Sequence, residues 1–240
     1  TINLTNDPVL RYVGGEVSIE MELPKILWLK NHYPERYKHV WRFFDLADFL
    51  VWKATTADVA SICTLTCKWN YLAHQGHFSE SLLADVGLDE LLEKVPQTIL
   101  ALGESAGCLT TSVAEAFGLH TGVIVASGII DAHAGGLALT ASQPEGSLAI
   151  ISGTSNCHMI VSQYPIMVPG VWGPYFGAML PELWLNEGGQ SAAGALVEWS
   201  IRRHESWAEL EQEAKEKGVS YYTLLNQAVA ELEENEPYPT

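Results

Sequence analysis

The stretch Val123–Gly136, VIVASGIIDAHAGG, holds the two features that decide the fold. Val123–Ile130 is a short, continuous, partly β-branched apolar run, which is typical of a strand covered on both faces. The small residues of Ala132–Thr140 then favour a helix. A buried strand that passes into a helix predicts an α/β fold.

Asp131 stands at the junction between that strand and that helix. The carboxyl edge of a buried strand is where ligands bind in α/β sheets. Apolar neighbours move the pKa of a carboxyl group towards that of a useful base. Aspartate is also a common N-cap of helices. The local pattern therefore leaves a catalytic base and a helix cap open.

Other elements are predicted outward from this junction. Leu148–Ile151 and Cys157–Ser162 are apolar runs joined by turn residues, which indicates a β-hairpin. The remaining expectations are helices from Pro24, over Asp45–Ala54, over Ser79–Glu93 with a break at Gly87, over Ser191–Arg203 and over Ser206–Glu236, and strands at Ser61–Thr66, Thr98–Leu102 and Leu183–Leu185. The polar stretch Ser142–Gly146 predicts a boundary between domains 1–145 and 146–240.

Composition excludes several classes of protein. The chain has 240 residues, of which 48% are hydrophobic and 18% charged, as in a packed globular protein. Its net charge of −16 argues against nucleic-acid binding, which needs a concentrated positive surface. No apolar stretch approaches the roughly 20 residues of a membrane-spanning helix. We therefore expect neither nucleic-acid nor membrane partners.

The four cysteines form no dense framework. Cys63 and Cys67 are four residues apart, without the second close pair or the ligand histidines of a zinc site. The sequence thus predicts no metal site, and reduced, mostly buried thiols in a cytoplasmic protein.

Three further segments offer candidate ligand contacts. Gly153–Ser155, at the hairpin tip, has backbone N–H groups suited to phosphate, although ordinary hairpin loops use the same residues. Glu187 precedes a Gly-Gly turn at a predicted helix start, where N–H groups face outward to hold an anion, or which is simply a capped turn. Lys68 follows a predicted strand and is placed to orient a ligand, although most lysines are merely solvated.

Gly103–Gly107 matches G-x-S-x-G, the nucleophile elbow of serine hydrolases, with Ser105 as nucleophile. The predicted flanking strand and helix partly fit, but no HGGG-type oxyanion loop lies upstream. A Gly-rich turn is the favoured interpretation.

Taken together, the chain resembles the FGGY carbohydrate kinase family, in particular its ribulokinase-like branch. Six ordered matches, far more specific than any single motif, extend over about Leu10–Trp199. They are Tyr12–Gly15 with Pro24–Lys30, Phe43–Leu50, Cys67–Trp69, Ile130–Gly136, Ser152–Ser155 and Glu187–Ala192.

The resemblance implies an actin-like ATPase fold with two ribonuclease-H-like domains, the first binding sugar and the second nucleotide. It implies transfer of the γ-phosphoryl group of ATP, with Mg²⁺, to a pentulose such as D-ribulose. Asp131 resembles the catalytic base, and Lys68 and Glu187 resemble sugar-contacting residues. Thr154, Gly194 and Glu198 resemble nucleotide-side positions.

The chain departs from the family pattern in two places. It contains neither a D-x-G-T-type phosphate loop nor the Gly-rich adenosine segment expected near the family's C-terminus. We therefore expect a form shortened at both ends that turns over little by itself. Two alternatives stay open beside the kinase: a non-catalytic sugar-binding module and the Ser105 hydrolase. A homodimer is compatible with the sequence.

Overall fold

The computed structural model describes residues 1–235. Its α-helices in this part are Glu22–His32 (α1), Pro34–His39 (α2), Leu46–Thr55 (α3), Ile62–Lys68 (α4), Glu80–Asp85 (α5), Thr111–Phe117 (α6), Asp131–Thr140 (α7), Gly194–Arg203 (α8), Trp207–Lys217 (α9) and Tyr221–Asn235 (α10). Short 3₁₀ helices lie at Ile2–Leu4, Pro8–Tyr12 and Asp89–Lys94.

The strands form three small sheets in this described part. Their bounds are Val59–Ser61 (β1), Thr98–Leu100 (β2), Ser105–Cys108 (β3), Ile124–Ala126 (β4), Leu148–Ser152 (β5), Asn156–Ser162 (β6), Trp172–Phe176 (β7) and Trp184–Gln190 (β8). β1 pairs with β2 in parallel, β3 pairs with β4 antiparallel, and the third sheet has the order β5-β6-β8-β7. The mixture of helices and strands confirms the predicted α/β class.

The chain divides into two compact units. The first comprises residues 1–151 and 157–189, and the second comprises residues 152–156 and the chain from Gln190 onward. The core of the first unit is built around large, fully buried side chains that include Trp69, Tyr37 and Tyr175. None of the helices among residues 1–235 combines the length and apolar character needed to cross a lipid bilayer.

Helix α7 packs closely on its neighbours because two of its residues are glycines. A Cβ atom on Gly136 would lie 2.6 Å from Met179 Sδ, and one on Gly135 would lie 2.8 Å from Ile151 Cδ1. The small residues predicted to leave room near Asp131 therefore let α7 approach these core side chains.

Several predicted elements are confirmed. Helix α3 follows Asp45, whose side chain accepts a hydrogen bond from Ala47 N, and the hairpin appears as the adjacent strands β5 and β6. The acidic C-terminal region is helical as α9 and α10, and Glu236, the predicted end, lies outside the described residues.

The predicted strand Ser61–Thr66 is wrong, because that segment is mostly helix α4. Ser61 ends β1 and caps α4, with its Oγ accepting a hydrogen bond from Cys63 N at 3.2 Å. The β-branched residues that suggested a strand are buried against the core in helical conformation.

The long strand predicted at Val123–Ile130 is also wrong, since β4 covers only Ile124–Ala126 and Ile124 is 67% exposed. β4 pairs only with β3, in a two-stranded ribbon. Beyond it, Gly128 packs so closely on α3 that an added Cβ would lie 2.9 Å from Ala47 Cβ. Four residues therefore separate the strand from Asp131.

Ser105 does not occupy a nucleophile elbow. It is the first residue of β3, and its Oγ accepts a hydrogen bond from Gly107 N at 3.2 Å. An elbow needs the serine on a tight strand-to-helix turn. The hydrolase alternative therefore loses its structural context.

Candidate functional site

Lys68 is positioned by a polar anchor at the other end of its helix. Buried Asp48, on α3, accepts hydrogen bonds from Ser61 N at 2.8 Å and from Thr64 Oγ1 at 2.6 Å. These bonds fix the first turn of α4, and Lys68 is the last residue of that helix. Its ammonium nitrogen lies 5.8 Å from the ring centroid of Trp172 on β7, within cation–π range.

Glu187 lies in strand β8 and is buried. Its Oε2 lies 3.3 Å from Nε2 of His133, which is also buried. Burial alone would raise the pKa of Glu187, but the hydrogen bond and charge of His133, together with the charge of Lys68, lower it below its ordinary value. Glu187 is therefore a carboxylate at neutral pH, fixed from one side.

Asp131 is the first residue of α7 and is exposed. Its Oδ1 accepts a hydrogen bond from Ala132 N at 2.7 Å. Since successive residues of a helix are about 100° apart around its axis, Asp131 and His133 point to nearly opposite sides. One turn of α7 thus presents an exposed carboxylate on one side and buries an imidazole on the other.

The charges of all three predicted sugar-site residues act on the half-buried thiol of Cys157, on β6. Burial raises the pKa of this thiol, Glu187 and Asp131 raise it further, and Lys68 lowers it. Lys68, Asp131 and Glu187 therefore lie within electrostatic range of one side chain in the first unit. The structure brings these three predicted residues together, although Glu187 is buried rather than open to solvent.

Sequence reasoning missed a cluster of thiols next to Glu187. One ligand atom each from Cys63, Cys67 and His133 lies within 4.8 Å of the other two, and all three residues are buried. Because α4 was predicted as a strand, the two cysteines were placed about 13 Å apart, whereas on a helix they are one turn apart. His133, assigned only to packing, faces them.

The electrostatics of this cluster are strongly polarised. The hydrogen bond from Cys67, followed by the interaction with His133, lowers the pKa of Cys63 to about 5 despite burial. Burial and the neighbouring Cys63 raise the pKa of Cys67 well above its ordinary value. Burial would lower the pKa of His133, but Cys63 and Glu187 outweigh it and raise the value to about 9.

Two nucleotide-side predictions, Thr154 and Gly194, meet in the second unit. Thr154 is exposed in the β5–β6 turn, and its carbonyl accepts a hydrogen bond from Ala193 N at 2.8 Å. Gly194 N donates to Gly153 O at 3.2 Å, and a Cβ on Gly194 would lie 2.7 Å from that oxygen. The N–H groups of Ala193 and Gly194, expected to face outward for an anion, instead hold the turn.

Glu198, the third nucleotide-side prediction, is engaged within the second unit. Its carboxylate accepts hydrogen bonds from the hydroxyls of Tyr221 and Tyr222 and pairs with Arg202. The hydrogen bond from Tyr221, followed by those from Arg202 and Tyr222, lowers the pKa of Glu198 to about 2. Glu198 thus links α8 to the start of α10.

Comparison with known proteins shows what this arrangement is similar to. The N-terminal domain model of the FGGY family of carbohydrate kinases matches residues 6–138, and the C-terminal domain model of the same family matches residues 148–239. A Xenopus laevis protein described as FGGY carbohydrate kinase domain-containing is 45% identical over 98% of this chain and 46% of its own length. A D-ribulokinase from Saccharomyces cerevisiae is 36% identical over 97% of this chain and 38% of its own length.

Solved structures show the same fold. A xylulose kinase from Rhodospirillum rubrum superposes with a TM-score of 0.70 at 21% identity, over 88% of this chain and 43% of its own. A second kinase structure, from Brucella ovis, gives 0.69 at 22% identity, over 94% and 44%. These neighbours confirm that the chain has part of the expected actin-like ATPase fold. The chain spans less than half the length of these relatives.

Proposed function

The chain belongs to the FGGY family of carbohydrate kinases, and we propose that it carries the sugar site of an ATP-dependent pentulose kinase. The observation that carries the proposal is the gathering of Lys68, Asp131 and Glu187 around Cys157. D-ribulose is the proposed acceptor, supported by the D-ribulokinase from yeast and by a ribulokinase from Bacillus licheniformis that is 32% identical over 95% of this chain.

Asp131 is the proposed catalytic base. Its carboxylate is exposed, and Ala132 N fixes one oxygen, so the other is free to face a sugar hydroxyl. The hydroxyl oxygen attacks the γ-phosphorus in line, the bond from that phosphorus to the bridging oxygen of ADP breaks, and the hydroxyl proton passes to Asp131. Phosphoryl transfer depends mainly on such positioning and on charge neutralisation.

Lys68 and Glu187 are the proposed sugar contacts. An ammonium group donates hydrogen bonds and a carboxylate accepts them, so the pair recognises opposite ends of a hydroxyl and carbonyl pattern. Trp172 beneath Lys68 and His133 beside Glu187 limit the freedom of both groups. Their fixed geometry supports a role in orienting the sugar for attack.

Thr154 and Gly194 are proposed to contact the nucleotide, with Glu198 stabilising the helix that bears Gly194. The exposed Thr154 hydroxyl supports this assignment. Mg²⁺ bound to phosphates takes only one or two protein carboxylates, and among the three sugar-site residues the exposed carboxylate of Asp131 suits such a contact. When bound, the ion neutralises phosphate charge.

The two domains are proposed to meet between residues 145 and 146. The family models support this position, because the first ends at residue 138 and the second begins at residue 148. A cytoplasmic location is proposed from the free thiols of Cys63, Cys67, Cys108 and Cys157, since disulfides are rare in reducing compartments.

The test is ADP release by the full-length protein that contains this chain. ATP consumption is expected to depend on D-ribulose and to yield a ribulose phosphate ester, with slower turnover of L-ribulose and D-xylulose. Calorimetry with D-ribulose, with and without ATP, is run in parallel. Sugar binding without any ATP consumption would identify a non-catalytic module and contradict the proposal.

A further inference from the structure

A buried cluster of soft ligands lies beside the proposed sugar site and is not required by phosphoryl transfer. Cys63 is 0% exposed, Cys67 is 2% exposed and His133 is 1% exposed. Two thiols and an imidazole make up one of the donor sets that zinc prefers in proteins. We propose that Cys63, Cys67 and His133, with Glu187 as fourth ligand, bind one Zn²⁺ ion.

The spacing of the two cysteines suits one ion. They occupy positions i and i+4 of α4, so their side chains lie on the same face of the helix, one above the other. The same spacing places two histidines of a helix on one zinc ion in metalloproteases. Helix α7 supplies His133 from the opposite side.

The distances agree with a zinc tetrahedron. Zn–S bonds of about 2.3 Å and Zn–N or Zn–O bonds of about 2.0 to 2.2 Å place ligand atoms roughly 3.3 to 3.8 Å apart. Nε2 of His133 lies 3.8 Å from Cys67 Sγ and 3.3 Å from Glu187 Oε2. Since both contacts are made by the same nitrogen, the ion would need only small side-chain shifts to be bound.

The surroundings also suit a bound cation. Two thiolates and one carboxylate carry three negative charges against the two positive charges of the ion, and the charge of Lys68 acts on both Cys67 and Glu187. The backbone of Ile130 is hydrogen-bonded to Cys63. Binding releases the thiol protons to solvent.

The site would contribute to folding rather than to turnover. Its ligands come from α4, α7 and β8, which are far apart in sequence, so an ion held by all of them stabilises the first unit. The proposal does not depend on the kinase assignment, since Cys63 and Cys67 are not sugar-site residues.

Cobalt binding by the whole chain tests the site, because Co²⁺ replaces Zn²⁺ and its spectrum reports its ligands. After chelation and buffer exchange, one equivalent of Co²⁺ is expected to give a sulfur-to-cobalt charge-transfer band and the strong visible bands of a tetrahedral site. One equivalent of Zn²⁺ should remove both. Absence of the charge-transfer band in the unsubstituted chain overturns the proposal without relying on any variant.

Two substitutions and a matched control assign the ligands. Cys63→Ser and Cys67→Ser are each expected to reduce the charge-transfer band and to weaken Zn²⁺ binding at least about tenfold. Cys108→Ser, at an exposed cysteine, should leave both unchanged. Zn²⁺ should raise the melting temperature of the unsubstituted chain and of C108S, but not of C63S. An unchanged band in both C63S and C67S, or its loss in C108S, contradicts the site.

Discussion

His133 Nε2 lies 3.3 Å from Glu187 Oε2, and both side chains are buried. This contact joins helix α7 to strand β8, so one helix carries both the exposed carboxylate of Asp131 and the imidazole that fixes Glu187. The geometry of the proposed sugar site therefore depends on how α7 is packed. Small residues at Gly135 and Gly136 permit that packing.

Lys68→Met is expected to weaken D-ribulose binding by about tenfold or more, because a charged hydrogen bond to the sugar is lost. The matched control is Lys53→Met, since Lys53 Nζ also lies 5.8 Å from the ring centroid of a tryptophan, Trp52. Calorimetry measures both. Equal affinities in the two variants would remove Lys68 from the site.

Asp48→Asn is expected to change how stability depends on pH. Burial, only partly offset by hydrogen bonds from Thr64 and Ser61, raises the pKa of Asp48 from 3.8 to about 7. Between these values the folded state binds more protons than the unfolded state, so the Asp48 contribution to the free energy of unfolding falls as pH rises. At about 1.4 kcal/mol per pKa unit, the fall is of the order of 4 kcal/mol.

Urea unfolding from pH 4 to pH 8 measures this effect. D48N should lose most of the downward slope that Asp48 contributes, whereas Asp85→Asn, at an exposed carboxylate, should keep it. Parallel stability profiles for D48N and the unsubstituted chain would show that Asp48 is ionised in the folded state.

Gly14→Ala and Gly15→Ala separate close packing from backbone strain. Both glycines have positive φ, +72° and +104°, so alanine costs roughly 1 to 2 kcal/mol at either position. A Cβ on Gly14 would also lie 2.8 Å from the backbone N and O of Val171, whereas Gly15 has open space. G14A should therefore lose about 1 to 3 kcal/mol more in urea unfolding. Equal losses would show that the Val171 segment yields easily.

Glu198→Gln is expected to lower the pKa of Tyr222. The hydrogen bond to Glu198 is the largest cause that raises this pKa to about 12. A neutral amide stabilises the protonated phenol less, so phenolate should form at lower pH. Ultraviolet titration measures the change, with Glu209→Gln, in the first turn of α9, as control. An unchanged titration would place the Tyr222 hydroxyl away from Glu198.

Local signals in the sequence predicted the elements that local bonds determine. Asp45 indicated the start of α3, and its side chain caps that helix. The β-branched residues after Ser61 were misleading, because the start of α4 depends on Asp48, which is distant in sequence. Likewise, Val123–Ile130 was predicted as one buried strand, although its burial depends on the partners that the tertiary structure supplies.

The candidate site was predictable only in part. Asp131 follows an apolar run, and six ordered motifs located Lys68 and Glu187, but no local pattern shows that Glu187 is buried against His133. Cys63 and Cys67 at i and i+4 were a usable signal once their segment is known to be helical. His133 comes from another helix, so its contact with them appears only in three dimensions.

Turnover by Asp131→Asn in the full-length protein that contains this chain is the most direct test of the central claim. We expect D-ribulose-dependent ADP release to fall by at least about 100-fold, since positioned proton transfer contributes about 10² to 10⁴. D-ribulose affinity should stay within a few-fold, and Glu80→Gln, an exposed acid that begins α5, should retain full activity. Undiminished ADP release by D131N would contradict the assignment of Asp131 as the base.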